Sequence, residues 1–230
     1  MVNATPESLE ERAIQELIAW LSRSDIKPGE PVPIRSFASR LGMSRTPLRS
    51  AVGRLHEQGV VNYHPRLGFT VATPTVGDLD ELFDIRLMME EHAIRRYFAR
   101  AQRPSLETPT ALAGEMAAIA KDVAVKRELY PRIRDLDAAF HASLVDLASS
   151  RRLSAIYGQL HLRIHVTRAG WTSDWGADRF QVTVGEHDEI MSALRKAELE
   201  RAVTAVRSHI MRVRDQVLTR SLEIVPSPMG

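Results

Sequence analysis

Apolar residues recur at helical spacing along most of this chain. In residues 8–22 they fall three and four positions apart, which predicts an amphipathic helix that ends before a Pro-Gly turn. A second, short helix fits residues 34–41, and Gly42 ends it. A third helix begins at Ser44, keeps an apolar stripe on its inner face, and ends near Gln58.

The period of the pattern changes after the third helix. Val60, Val61 and Tyr63 precede a turn through residues 65–68, and Phe69 with Val71 follow it, which predicts two short strands. Three helices and a hairpin predict a winged helix-turn-helix over residues 1–72. Residues 73–76 form the expected linker, since proline there stops both helix and strand.

Beyond the linker the pattern is almost wholly helical. We predict a mainly α protein, in which an all-helical bundle over residues 77–222 follows the winged domain and residues 223–230 form a loose tail. The predicted helices of the bundle cover residues 77–101, 108–125, 131–149, 151–168, 178–196 and 198–221. The predicted separators include Pro104, Pro131, Gly170 and Gly176.

Positive charge is concentrated in the first domain. Residues 34–70 hold six arginines and a single acid, Glu57, whereas residues 71–230 hold 22 basic and 22 acidic side chains. A local field of this kind favours a polyanion, and nucleic acid is its natural partner. The six arginines are Arg35, Arg40, Arg45, Arg49, Arg54 and Arg66.

The third predicted helix is the element that would enter the DNA major groove. Arg45 and Arg49 lie four residues apart on one face, so each can fork onto a guanine, whereas Ser44 and Thr46 suit phosphates or can cap the helix. The predicted contacts with DNA are Arg35, Ser44, Arg45, Thr46, Arg49, Arg66 and Gly68. Arg40 and Arg54 are interpreted as backbone or surface charges. The alternative is a solvated basic face, but the order of capped helix, inward stripe and wing favours DNA.

These residues also resemble a known family. The runs are Lys27-Pro28-Gly29, residues 41–49, Arg54-Leu55, Gly59-Val60-Val61 and residues 68–71, and together they resemble the N-terminal domain of GntR-type bacterial transcription regulators. The resemblance covers about residues 10–72. Ser50 stands where an acid is common, and Pro33-Ile34 replaces a more polar helix start. Neither departure involves the arginines, so they leave DNA binding intact and the operator sequence open.

Side chains that can bind metals lie on apolar faces in the second half. Asp137 and His141 are four residues apart, and His187 and His209 lie on two later apolar stripes. Because the chain has no cysteine, any metal must have nitrogen and oxygen ligands, which suit Zn, Ni, Mn or Fe in a helical bundle. A single buried histidine is more commonly structural than a ligand. His161 and His165, also four apart, form a competing pair.

A second resemblance concerns this half of the chain. The pattern Asp137-x-x-Phe140-His141, with Glu186-His187 and later His209-Ile210, resembles the all-helical FCD effector domain of the FadR subfamily of GntR regulators, over about residues 77–220. The resemblance implies that the Asp and the three His bind a divalent metal that helps to hold a small carboxylate ligand. Residues 149–151 (Ser-Ser-Arg) replace a Gly-Asn turn that is common in that family.

Arginines in the helical half are candidates for the ligand pocket. By the same resemblance, the arginine equivalent to Arg86 often faces the pocket and meets the effector carboxylate. The alternative for Arg86 is an ion pair with Glu90, four residues on. Arg163, on a later helix, is the second candidate.

Together these features predict a ligand-responsive bacterial DNA-binding regulator with no catalytic residues. We expect a homodimeric repressor that binds a short palindrome in double-stranded DNA and is released by a small organic acid. The alternative is a metal-dependent enzyme that uses the Asp/His set, since a bound metal can activate water. Against it, no general base is evident, and an enzyme does not need the basic N-terminal domain (the head). A third possibility is an architectural helical dimer with inert histidines.

The hydropathy of the chain indicates where in the cell the protein is expected. No apolar run approaches the roughly 18 residues of a membrane-spanning helix, and no basic leader precedes an apolar core at the N-terminus. The expectation is therefore a cytoplasmic protein with neither a membrane span nor a secretory signal.

Overall fold

The computed structural model of this chain describes residues 8–22, 26–123, 127–171 and 177–224. Its contacts divide the chain into two compact units. The first holds the described residues as far as Thr73 together with residues 166–171, and the second holds the other described residues from Pro74 onward.

Three short helices form the body of the N-terminal unit. Helix α1 spans Leu9–Leu21, α2 spans Ile34–Leu41 and α3 spans Arg45–Glu57. Gly42 adopts the left-handed conformation (φ 61°) that ends α2, as its position in the sequence predicted. The helices bury apolar stripes against one another around Leu17, Phe37, Leu48, Val52 and Leu55.

A two-stranded wing follows α3. Strand β1 spans Val61–His64 and β2 spans Gly68–Val71, paired antiparallel with Val61 opposite Val71. Gly68 opens β2 with φ 78°, a conformation that other residues adopt only with strain. The predicted winged helix-turn-helix is therefore confirmed.

The second unit is helical throughout the part of it that the structure describes. Helix α4 (Val76–Phe98) packs against the long C-terminal helix α9 (Leu199–Ile224) and against α6 (Tyr130–Asp146). Helix α5 (Glu107–Val123) packs against α6 and α8 (Ala177–Arg195). The remaining elements are a 3₁₀ turn at Arg127–Leu129 and helix α7 at Arg151–Trp171.

One of the predicted separators, Gly170, was wrong. Helix α7 continues through Gly170, because an interior glycine costs a helix only about 1 kcal/mol. Pro131 lies in the first turn of α6, where its missing N–H would have no partner in any case. Pro104 does lie between α4 and α5, and Gly176 is outside the described residues.

The α6–α7 connection is strained at Ser149, in the Ser-Ser-Arg run that replaces the Gly-Asn turn of the family this half resembles. Ser149 adopts φ 49°, in the left-handed region, and its amide donates to the Asp146 carbonyl at 2.8 Å. A residue with a Cβ costs roughly 1–2 kcal/mol in that region. The turn is thus retained without the glycine that would relieve it.

No helix among the described residues is both long enough and apolar enough to cross a membrane.

Candidate functional site

Helix α3 turns one face to solvent and the other to the core. Arg45, Thr46 and Arg49 are exposed, whereas Leu48 and Val52 are fully buried. The side chains predicted to contact DNA therefore share an outward face.

The exposed N-terminus of α3 lacks a side-chain cap. Ser44 occupies the N-cap position with extended backbone (φ −68°, ψ 164°), but its hydroxyl makes no hydrogen bond to the first turn. By contrast, the hydroxyls of Ser8 and Thr75 cap α1 and α4. The cap that the sequence suggested at α3 is therefore not formed. Backbone amides that no side chain caps, at the positive end of a helix dipole, can donate hydrogen bonds to a phosphate.

The six arginines of the basic segment fall into two groups. Arg40 pairs with Glu16 at 3.3 Å, and Arg54 pairs with Glu10 at 3.4 Å, so both are held by acids of α1. The other four make no ion pair or side-chain hydrogen bond within the described residues, and all are exposed. These four are Arg35, Arg45, Arg49 and Arg66. Their charges remain available to an outside partner.

The flanking positions lie on two different elements. Arg35 is exposed in the first turn of α2, and Arg66 is exposed in the turn of the wing, two residues before the partly buried Gly68.

Four ligand-type side chains meet inside the helical unit. Asp137 and His141 come from α6, His187 from α8 and His209 from α9, and all four are buried. One ligand atom from each lies within 4.8 Å of all the others. No other group of three or more such residues was found within the described part of the chain. His161 is buried elsewhere, against the ring of Tyr157, and the side chain of His165 is outside the described residues.

The separations of these atoms match a shared metal ion. The Nε2 atoms of His141 and His209 are 3.1 Å apart, and Asp137 Oδ1 lies 3.7 Å from the first of them. His187 Nε2 lies 3.5 Å from the same oxygen. Ligand atoms that sit about 2.1 Å from one metal stand roughly 3–3.5 Å apart when they are neighbours around it.

Two further carboxylates set the orientation of the imidazoles. His141 Nδ1 lies 2.8 Å from Glu90 Oε2, and His209 Nδ1 lies 2.7 Å from Glu186 Oε2. An ionised carboxylate only accepts, so each Nδ1 carries the proton and each Nε2 keeps its lone pair. Two lone pairs then face each other at 3.1 Å. That arrangement repels unless a cation lies between them, so the donor set fits a divalent metal.

Burial lowers the pKa of His187 and of His209, which favours the neutral form of imidazole that binds metals. It lowers the pKa of His209 to about 4, although the hydrogen bond that His209 donates to Glu186 opposes the change. It also lowers the pKa of His187 well below its ordinary value, and the imidazoles of His209 and His141 add to this effect. Neither ring nitrogen of His187 has a hydrogen-bond partner within the described residues, and the ring stacks on Phe140 at 4.1 Å.

Arg86 forms the ion pair with Glu90 that the sequence offered as its alternative role, and part of its guanidinium is left unsatisfied within the described part of the chain. It is fully buried, and its Nε donates to Glu90 at 2.8 Å, which is the expected intrahelical pair. Both terminal nitrogens are left without a hydrogen-bond partner within the described residues. After burial and the neighbouring imidazoles, its charge also contributes to the lowered pKa of His187, so the guanidinium is within electrostatic reach of the cluster.

Sequence reasoning missed the layer of residues behind the ligands. Glu90 was considered only as a partner of Arg86, yet it also binds His141 and accepts from the hydroxyl of Tyr157 at 2.6 Å. Burial would raise the pKa of Glu90, but its contacts with His141 and Arg86 outweigh burial and hold that pKa below its ordinary value. The available signal was an acid on an apolar helix face, which needs partners when it is buried.

Arg163 lies apart from these contacts. It is partly buried on α7, and its charge contributes, after hydrogen bonds from Thr75, to lowering the pKa of Asp78 in the first turn of α4. Its role in a ligand pocket stays a prediction.

Comparisons with known proteins agree with both domains. The family of bacterial regulatory proteins named gntR matches residues 9–71, and the FCD domain family matches residues 81–212. The HTH-type transcriptional regulator YdhC of Bacillus subtilis is 29% identical over 195 residues, which cover 84% of each chain. The Nta operon transcriptional regulator of Aminobacter aminovorans is 27% identical over 197 residues, covering 84% of this chain and 86% of the relative.

Solved structures share the fold. The structure of McbR/YncC from Escherichia coli aligns with a TM-score of 0.78 at 20% identity, covering 93% of this chain and 98% of the other. A GntR-type regulator from Rhodococcus aligns with a TM-score of 0.76 at 20% identity, covering 91% and 97%. The FCD family covers more than half of the chain and the gntR family covers its head. The chain therefore belongs to the FCD-domain branch of the GntR family, whose members are ligand-responsive DNA-binding transcription regulators rather than enzymes.

Proposed function

We propose that this regulator reads operator DNA through the exposed face of α3, with Arg45 and Arg49 on base edges. The division of the six arginines supports the assignment, since the chain satisfies the charges of Arg40 and Arg54 and leaves these two unpaired. Each guanidinium can donate two hydrogen bonds to O6 and N7 of a guanine.

The surrounding groups suit the DNA backbone. The uncapped amides of α3, with the hydroxyls of Ser44 and Thr46, present donors to a phosphate. Arg35 on α2, and Arg66 with Gly68 in the wing, would add flanking contacts to phosphate or to the minor groove.

A gel-shift titration on the DNA upstream of its own gene tests this readout. We expect the Arg45→Ala, Arg49→Ala double variant to lose specific binding by 100-fold or more, because each bidentate contact is worth about 1–3 kcal/mol. The matched control is Arg40→Ala with Arg54→Ala, which removes the same charge from the same segment but breaks only exposed ion pairs. Normal binding by the first variant would rule out the assigned contacts.

We propose further that Asp137, His141, His187 and His209 bind one divalent metal ion, drawn from Zn, Ni, Mn and Fe. The opposed Nε2 atoms of His141 and His209 carry this proposal, because their tautomers leave two lone pairs 3.1 Å apart in a buried site. When bound, the metal would supply a Lewis acid to an effector oxygen.

The effector that best suits this site is a small carboxylate. Arg86 is buried with two terminal nitrogens unsatisfied, and a carboxylate accepts two parallel hydrogen bonds from such a fork. Glu90 keeps the guanidinium in place through Nε, so both terminal nitrogens can serve the ligand.

Metal analysis of untagged protein, followed by thermal-shift screens, tests the site. We expect one metal per chain, lost in His187→Ala, and a rise in melting temperature with some small organic acids that is lost in Arg86→Leu. Arg163→Leu is the comparison variant for the second pocket candidate. Absence of stoichiometric metal under metal-replete conditions, with no metal-induced rise in melting temperature, would favour the architectural interpretation of the histidines.

The regulatory output we propose is repression relieved by the acid. A homodimer in the cytoplasm would place two heads on a short palindrome, and the acid would favour the dimer geometry that binds DNA less well. Gel shifts with and without the acid identified by thermal shift should show weaker binding when it is present. Stronger or unchanged binding would contradict release by the effector.

A further inference from the structure

Two segments in the helical half of the chain contain arginine but no acid. Residues 92–106 and 147–171 together hold eight arginines and neither aspartate nor glutamate. Residues 71–230 as a whole hold 22 basic and 22 acidic side chains, so the part outside these two segments holds 14 basic and 22 acidic ones. The even balance of this half is therefore the sum of a basic part and an acidic part.

The fold brings the two basic segments into contact. Arg96 Nε donates to the Ala148 carbonyl at 2.9 Å, and Arg100 Nη1 donates to the same oxygen at 3.4 Å. Ala148 comes three residues before Arg151, the first residue of α7. The C-terminal end of α4 therefore lies beside the N-terminal end of α7, and the arginines of both segments share one region of the helical unit.

Five arginines at or next to these helix ends have no carboxylate partner within the described residues. The side chains of Arg151 and Arg152 are exposed and make no hydrogen bond there either. The guanidinium of Arg103, also exposed, lies over the ring of Phe98 at 4.9 Å. The other two contact a carbonyl, which is uncharged and leaves their positive charges in place. We call the five the α4–α7 patch: Arg96, Arg100, Arg103, Arg151 and Arg152.

Two members of the patch stand where their own helix disfavours positive charge. Arg151 and Arg152 are the first two residues of α7, at the positive end of its dipole, and no acid occupies that first turn. Asp146, the nearest acid before them in the sequence, accepts from the hydroxyl of Ser154 at 2.5 Å instead. An anion bound from outside would remove this repulsion.

We propose that the α4–α7 patch binds the phosphate backbone of duplex DNA without reading its sequence. Guanidinium groups fork onto phosphate oxygens, and contacts of this kind supply most of the sequence-independent affinity of proteins for DNA. A protein partner would instead need an apolar centre, and the helix ends that form the patch offer one exposed large apolar side chain among the described residues, Ile156. This surface adds to the head and does not depend on the base contacts assigned to α3.

DNA binding by a protein whose head is disabled tests the patch. Full-length protein carrying Arg45→Ala and Arg49→Ala should still bind a duplex of unrelated sequence at low salt, which fluorescence anisotropy measures over a series of salt concentrations. Each phosphate contact contributes about −0.9 to the slope of log affinity against log salt concentration. Adding Arg103→Gln, Arg151→Gln and Arg152→Gln should therefore make this slope less steep by roughly 2–3 and lower the affinity about tenfold or more.

The matched control replaces three exposed arginines of the same unit that form ion pairs within the chain. These are Arg132, Arg201 and Arg207, each changed to glutamine in the same background. The control removes the same formal charge and should leave the slope nearly unchanged. Equal changes in the two variants, or no binding of duplex by the head-disabled protein, would overturn the proposal. Tighter binding of single-stranded RNA of the same length would overturn duplex DNA as the partner.

Measurements with an intact head separate the patch from the operator readout. There the triple patch variant should keep its preference for operator over unrelated duplex, because α3 sets that preference. Its melting temperature should not fall, since removing two cations from the N-terminus of α7 relieves repulsion. If circular dichroism shows that it does not fold, the double variant Arg103→Gln, Arg152→Gln takes its place in the same titration. A patch that fails these tests leaves the operator readout and the metal site standing.

Discussion

Glu90 is a single residue that joins two groups of the buried site. Its Oε1 accepts from Arg86 Nε at 2.8 Å and from the Tyr157 hydroxyl at 2.6 Å, and its Oε2 binds His141 at 2.8 Å. A buried carboxylate without partners would be costly, so these donors are the condition for its burial. Through it, the guanidinium that we propose for the effector and an imidazole that we propose for the metal are held by the same carboxylate.

Replacing Glu90 by glutamine should therefore weaken metal binding without removing a ligand. The amide lacks the charge that makes the His141 imidazole basic, and such changes behind the ligands typically reduce metal affinity about 10- to 100-fold. Competition with a chromogenic chelator measures the affinity. Glu189→Gln, an exposed acid on α8 that pairs with Arg201, should leave it unchanged. Equal affinity in the Glu90→Gln variant would exclude this role.

Protonation of His187 and His209 should make the free energy of unfolding of the metal-free protein depend on pH. The unfolded chain takes up these protons near pH 6.5, whereas burial lowers the pKa of His209 to about 4 and that of His187 well below 6.5. Between these values the unfolded state binds more protons, so stability falls as pH drops from about 6.5 towards 4. Each histidine contributes at most about 1.4 kcal/mol per pH unit.

Urea unfolding of chelator-treated protein at several pH values measures this slope. His187→Gln should flatten it, and His64→Gln, on the exposed side of the wing, should not. The lowered pKa of Glu90 acts in the same direction but at lower pH, because its contribution is lost only below about 4.5. Stability that stays constant from pH 7 to 5 would contradict the burial of neutral imidazoles.

Among the elements, the N-termini of α3 and α4 differ in whether a side chain caps them. Helix α4 has a full capping box, in which Asp78 N donates to the Thr75 hydroxyl at 3.1 Å and Thr75 N donates to the Asp78 carboxylate at 2.8 Å. Helix α3 begins at Ser44 with no side-chain cap. The capped N-terminus begins the helical unit, and the uncapped N-terminus lies on the surface that we propose contacts DNA.

Removing each hydroxyl should separate stability from binding. Thr75→Ala should lower the free energy of unfolding by about 1 kcal/mol, because it deletes a cap hydrogen bond. Ser44→Ala should change it by less than about 0.5 kcal/mol, because no such bond exists there, yet should weaken DNA binding. Chemical denaturation and gel shifts measure the two effects. A stability loss in Ser44→Ala equal to that in Thr75→Ala would contradict the uncapped α3.

Elements were more predictable from sequence than the contacts between them. Residues 34–41 were predicted and observed as α2. The apolar face indicates the helix, and Gly42, which adopts the left-handed conformation, marks its end. Gly170 misled because a glycine ends a helix only where the chain turns. The apolar stripes indicated the four ligand-type residues but left His161 and His165 open; the family resemblance chose between the two sets, and the structure brings the four together. The hydrogen bond from Tyr157 to Glu90 joins residues 67 positions apart, so no local pattern in the sequence predicts it.

At the scale of the molecule, the two candidate sites lie in separate compact units. The unpaired arginines of the head lie before Thr73, and Asp137, His141, His187 and His209 lie in the unit that begins at Pro74. The basic excess of the chain also belongs to the head, because the remainder is balanced. A metal bound at the buried site is therefore expected to raise the free energy of unfolding of the helical unit, which holds the four ligand-type side chains.

Calorimetry of the whole chain should resolve this linkage. A metal at 100 times its dissociation constant stabilises the folded form by about 2.7 kcal/mol, which raises the melting temperature of a unit of this size by roughly 5–10 °C. We expect that shift in the transition of the helical unit and little change in that of the head. Asp137→Asn, which keeps the shape of a ligand but not its charge, should abolish most of the shift. If the head's transition moved as far as the helical unit's, the units would unfold as one, and the metal's stabilisation would be shared by the surface that reads DNA.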